Sequence, residues 1–152
     1  MIHSVFSIKA APVNGAVYLY LRVMWLSFLN IFFIVFHTAF TLFNITGWAF
    51  RKTRKWHLFT LLLTAGSWFI LGIWYGWGYC ACTDWHWQVR EAMGIHDRSH
   101  SYIHFLLLKL TGTNFDTELV EKATLVIFLL CTVLSIWLNV RDWLQKRKQQ
   151  KA

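Results

Sequence analysis

The chain has 152 residues, 57% of them hydrophobic and only 14% charged, with 10 Trp and 13 Phe, and a soluble domain of this size would need far more polar surface. The net charge of +8 would suit nucleic acid, but nine of the fifteen Lys and Arg fall in two short stretches, RKTRK at 51–55 and RDWLQKRKQQK at 141–151. That clustering argues against nucleic acid and for a lipid bilayer as the main partner, with basic side chains near anionic headgroups.

In chain order, residues 1–22 are mixed, with Pro12 and no convincing cleavable leader, and Val13 to Leu21 reads as an interfacial segment leading to Arg22. Residues 23–50 form the first predicted span, since Val23 to Phe50 is 28 residues without an Asp, Glu, Lys or Arg, and about 20 suffice to cross the hydrocarbon. A basic loop, 51–56, leads to a second span over 57–79, an uncharged run of 23 residues. Residues 80–120 read as a loop carrying a short helix over 95–110, which is too short between Arg98 and Lys109 to cross and therefore lies on or dips into the membrane. A third span covers 121–140, with side chains at the Glu121-Lys122 end free to snorkel, and a basic tail covers 141–152. The expected fold is a single all-α membrane domain, a helical bundle of three transmembrane helices plus that interfacial or re-entrant helix. Positive-inside bias places the basic loop and tail in the cytoplasm and the N-terminus outside. No internal repeat, heptad array or phosphate-binding glycine loop is present.

The polar residues inside the spans are patterned. Asn30, His37, Thr41 and Asn44 fall on one stripe of the first span, Thr60, Thr64 and Ser67 on one face of the second, and Glu121, Thr124, Cys131 and Ser135 on one face of the third. Three stripes imply one shared interior joined by interhelical hydrogen bonds. His37 lies near mid-span, where an ionisable residue invites a functional reading, haem or metal ligation or proton relay, beside the plainer one of a neutral imidazole bonded to a neighbouring hydroxyl.

The segment YCACTDWHWQVR (79–90) sets Cys80 and Cys82 one residue apart, with His86 between Trp85 and Trp87. Cys80, Cys82 and His86, together with His96, His100 and His104 recurring every fourth residue, are candidate ligands for Cu, Zn or Fe. A disulfide across one residue would be strained and reducible, which leaves thiol redox as another use of the pair. The flanking tryptophans also fit a simple interfacial aromatic belt.

The landmarks FHTAFTLFNITGW (His37, Ala39, Phe40, Gly47), KWHL (Trp56, His57, Leu58), GWGYCACT (Cys80, Thr83) and YIHFLLL (His104) occur in the order seen in a small bacterial integral membrane family catalogued as a domain of unknown function, which the chain resembles over roughly 25–140. That family typically shows a Cys-Pro-Leu-Thr run followed by an acidic residue. Here Ala81 and Cys82 stand inside the run and His86 stands where the acid would fall, so Cys82 lies outside the family's pattern. The resemblance implies His37, Cys80, Thr83 and His104 as positions of interest and implies no reaction.

No complete catalytic motif is present, so the leading expectation is a non-enzymatic bacterial inner-membrane protein, an accessory or assembly subunit of a larger complex with a membrane-protein partner or a second copy of itself. The alternatives are a haem- or metal-binding redox or metal-handling protein, with His37 and His104 as axial candidates for haem, and a membrane thiol-disulfide oxidoreductase.

Overall fold

The computed structural model describes residues 15–96 and 101–150, and every regular element among them is helical. Helix α1 spans Gly15–Thr46 and α2 spans Arg54–Ala65. The latter continues through a π-helical turn, Gly66–Leu71, into α3, Gly72–Tyr75. Three rods are long and apolar enough to cross a membrane: Val17–Thr46, Arg54–Tyr75 and the final helix, Thr117–Gln149. The protein is a helical membrane bundle.

Between the second and third rods, α4 occupies Ala81–Ala92 and α5 occupies Tyr102–Thr111; the final rod is α6, Thr117–Gln149. The sequence reading of residues 80–94 as loop missed α4. The helix over 95–110 is also corrected: α4 ends at Ala92 and the chain turns through Gly94, whose φ of 78° suits glycine, and α5 begins only after Ser101, whose side chain accepts from the His104 backbone N–H. Asp116 caps α6 in the same way through Leu119 N–H.

The turn from α1 to α2 is held by the Thr53 hydroxyl donating to the Gly47 carbonyl at 2.7 Å and by Arg54 Nε donating to the Trp48 carbonyl at 3.0 Å. Gly47 is needed there: a Cβ would lie 2.8 Å from the Phe43 carbonyl oxygen and 2.9 Å from the His57 ring. Arg54 meets Asp142 and His57 meets Ser135, so α6 runs antiparallel to α2 and brings both basic stretches to one end of the bundle. At the remote end α4 lies along α1 and α5 closes over both, burying Trp87, Tyr102, Phe105 and Leu106 against Ile34.

Most large apolar side chains of α1 and α6, among them Phe28, Ile31, Val35, Leu129 and Leu130, stay exposed. In water such a surface would be intolerable; in lipid it is the solvated face.

Candidate functional site

The bundle interior holds two polar clusters. Near the basic end, His57 is fully buried. Its Nε2 lies 3.0 Å from the Asn44 carbonyl, which only accepts, so Nε2 carries the proton and Nδ1 receives the Ser135 hydroxyl at 3.0 Å. Asn44 in turn accepts from Thr60 Oγ1 at 2.8 Å and donates to Thr64 Oγ1 at 3.3 Å. Asn139 donates to the Arg54 carbonyl, and Arg54 forms a 2.8 Å ion pair with Asp142. Every one of these bonds joins two helices, so the cluster cross-links α1, α2 and α6.

The second cluster lies toward the remote end and is assembled by a chain reversal. The π turn brings Ser67 to donate to the Tyr79 carbonyl at 2.9 Å, a use of irregular helix that recurs where function needs a residue re-aimed. Gly76 and Gly78, at φ 101° and 78°, make the bend. The chain then doubles back from the end of α3, and Cys80 becomes the extended residue at the start of α4.

Helix α4 runs antiparallel to α1. Thr83 Oγ1 lies 3.2 Å and Cys80 Sγ 4.0 Å from His37 Nε2, while His86 faces Asn30 farther along. His37 Nδ1 is 3.3 Å from the Phe33 carbonyl, which only accepts, so Nδ1 carries the proton and donates it, and Nε2 is unprotonated in the neutral ring, facing the hydroxyl and the thiol. Tyr102 stacks on this imidazole at 3.9 Å between ring centroids and donates its hydroxyl to the same Phe33 carbonyl. Burial raises the Tyr102 pKa, so it remains a neutral donor. The neighbouring Cys82 thiol holds the Cys80 pKa well below the ordinary thiol range, with His37 and Thr83 adding to the effect against the opposing cost of burial. The same partnership drives Cys82 upward, helped by burial, so Cys80 is the thiolate of the pair.

His86 is fully buried between the Phe33 and Trp87 rings and gives its Nε2 proton to Asn30 Oδ1 at 2.9 Å. Burial lowers its pKa to about 4, and the adjacent Arg90 charge acts in the same direction. Its Nδ1 is buried without a hydrogen-bond partner among the described residues. Arg90 reaches the same Asn30 oxygen at 3.4 Å and lies over the Phe105 ring at 4.8 Å.

The sequence-predicted site residues are thus divided among different places. His37, Cys80 and Thr83 meet. His86 points to Asn30, and His104 directs Nε2 to Asn114 Oδ1 and the Phe115 carbonyl, at 3.1 and 3.0 Å, where it ties α5 to the approach to α6. His96 is exposed and lies outside any helix, so it does not share a helical face with His104, and His100 falls outside the described residues. Among the described residues no three of His, Cys, Asp and Glu converge in a way that could hold a metal ion. In the sequence His57 stands only as a landmark, and neither Tyr102 nor Asn30 is marked as a partner of the second cluster. The periodic stripe of α1 contained the signal for Asn30, whereas Tyr102 had none beyond its place beside His104.

Neither the curated proteins nor the solved structures yielded a match. The family model described as "Protein of Unknown function (DUF2784)" matches residues 27–140, which takes in both polar clusters apart from Asp142, and this chain belongs to that family.

Proposed function

We propose that the chain is an accessory or assembly partner of a larger complex in a bacterial cytoplasmic membrane, oriented with its N-terminus outside and its basic turn and tail cytoplasmic. The observation that carries this reading is the way the buried histidines are spent. His57, His86 and His104 each donate to an acceptor elsewhere in the chain, and His57 has both nitrogens occupied. Such polar groups fix one arrangement of helices in lipid, where interhelical hydrogen bonds and close packing replace the hydrophobic effect as the source of association.

A rigid scaffold of this kind presents its outward faces as binding surface. On α1 the rings of Phe32, Phe36 and Phe40 stack at 6.0 and 5.8 Å in one ladder, with Phe32 and Phe36 exposed, and this ridge suits packing against a transmembrane helix of the partner. Purification from native membranes in a mild detergent tests the reading. A specific membrane protein should co-purify and should be lost in a Phe32→Ala, Phe36→Ala double variant that still inserts. Recovery of the chain alone and monomeric at native expression would end it.

A further inference from the structure

Three features stand outside that scaffold role: the basic end with its Arg54–Asp142 pair, the unpartnered nitrogen of His86, and the Cys80–Cys82 pair. The first is explained as a cross-link between α2 and α6. The second is fully buried against the Phe33 and Trp87 rings, out of reach of solvent. The cysteines are different, because both are free and partly exposed.

We infer that Cys80 and Cys82 form a thiol–disulfide exchange site, in which Cys80 attacks an incoming disulfide and Cys82 resolves the mixed disulfide. The geometry supplies what each step requires. Cys80 Sγ sits at the opening of α4, where the positive end of the helix favours an anion. It is 4.0 Å from the bare Nε2 of His37, which serves as the proton acceptor when the thiol ionises, while the Phe33 carbonyl fixes that ring in the required tautomer. Tyr102 covers the imidazole and prevents it from swinging away. Cys82, in the first turn of α4, keeps its proton until the mixed disulfide has formed.

In the first step the Cys80 thiolate attacks one sulfur of the substrate disulfide. A new S–S bond forms, the old one breaks, and the departing sulfur leaves as a thiolate. In the second, Cys82 gives up its proton to solvent and its sulfur attacks Cys80 Sγ. The mixed disulfide breaks, the second substrate sulfur leaves as a thiolate, and the protein retains a Cys80–Cys82 disulfide. The substrate gains two electrons and the cysteine pair loses two. A ring closed across a single intervening residue is strained, so it is readily opened again by an external dithiol, which becomes oxidised in turn. The bridge is accordingly a carrier of oxidising equivalents and not a structural staple.

The site also limits what can reach it. Ser67 holds the Tyr79 carbonyl eight residues before the end of α3, which places Cys80 about 12 Å short of that end at 1.5 Å per residue. A neutral or membrane-borne disulfide fits such a position better than a charged, fully hydrated one.

The test uses the full-length protein in detergent and in lipid nanodiscs, with Cys131→Ala as background, and neutral dithiodipyridine as the probe. In the background protein at pH 6, rapid release of two thiopyridones per chain is expected, leaving a product lighter by two hydrogens and free of pyridyl groups. Cys82→Ser should release one and retain a pyridyl group on Cys80, at a rate about tenfold or more above that of Cys82 in the Cys80→Ser protein, since ordinary thiols are almost wholly protonated at that pH. Replacing His37 by Gln should lower the Cys80 rate severalfold without altering the helical circular dichroism. Two stable pyridyl adducts on the background protein would overturn the inference, as would equal rates for the two cysteines. Should Cys80→Ser fail to fold, peptide mapping of the first cysteine labelled in the background protein decides the same question: label first on Cys82 refutes it. Co-purification of a partner does not enter these readouts, so the outcome is independent of the scaffold reading.

Discussion

Ser135 Oγ lies 3.0 Å from Nδ1 of His57, and both side chains are fully buried, so one hydroxyl joins residues 78 positions apart in the chain. Removing it with Ser135→Ala leaves an imidazole nitrogen buried without a donor. The expected loss is about 1–2 kcal/mol, the range for an unsatisfied buried group moderated by the weak hydrogen-bond energies found in membranes. Thermal unfolding in a fixed detergent should show it, and unchanged stability would mean that water or another hydroxyl replaces the bond.

Gly47 supports the same histidine from the other side. With a Cβ at 2.8 Å from the Phe43 carbonyl and 2.9 Å from the His57 ring, Gly47→Ala must displace the turn or the imidazole, at a cost of about 1–3 kcal/mol by analogy with overpacked cores. Gly15→Ala, where nothing lies within 4 Å, is the matched control and should be neutral. Equal unfolding temperatures for the two variants would contradict the close approach.

His86 makes stability depend on acidity. Its folded pKa of about 4 lies below the ordinary 6.5, so above pH 6.5 the ring is neutral in both states and contributes nothing to the dependence. As pH falls from 6.5 toward 4 the unfolded chain takes up a proton that the folded one refuses, and stability declines by roughly 2–3 kcal/mol before levelling off. His86→Gln, which retains a donor for Asn30, should remove this decline. Parallel unfolding-versus-pH curves for the two proteins would show that His86 is not its source.

Arg54 and Asp142 are the least exposed ion pair described at the basic end, with side-chain exposures of 11% and 19%. Asp142→Asn should lower stability only modestly, since the pair's attraction is largely screened by solvent. Removing Arg51, Lys52, Arg54 and Lys55 together is a different intervention: it erases one of the two positive clusters and should produce mixed topology. A reporter fused to the C-terminus that stays wholly cytoplasmic in that variant would argue against the proposed orientation.

Composition and charge-free length made the three spans legible, because crossing hydrocarbon imposes a requirement that no other fold shares. The stripes were legible too: Asn30, Asn44, Thr60, Thr64, Ser67 and Ser135 all bond across to other segments of the chain. What the sequence concealed was α4. Its run ACTDWHWQVREA mixes charges with aromatics, and its buried side His86, Trp87, Val89 and Arg90 includes a histidine and an arginine, so hydrophobic periodicity alone does not reveal it. The proximity of Cys80 to His37 was concealed for a related reason. It depends on the reversal at Gly76 and Gly78 and on the π turn that presents Ser67, and neither leaves a periodic trace. The fourfold histidine spacing presumes one helix from His96 to His104, whereas His96 lies outside any helix and α5 starts only after Ser101.

The backward fold that returns Cys80 to the level of Ser67 also constrains the order of biogenesis. Asn30 and His37 are synthesised with α1, yet their partners outside that helix, His86, Arg90, Thr83, Cys80 and Tyr102, all emerge after residue 79. A hairpin of the first two spans leaving the translocon therefore carries an amide and an imidazole facing lipid until α4 and α5 arrive. The nascent chain has an interval in which it is recognisable as incomplete, and truncations after α3 should be degraded faster than the finished protein.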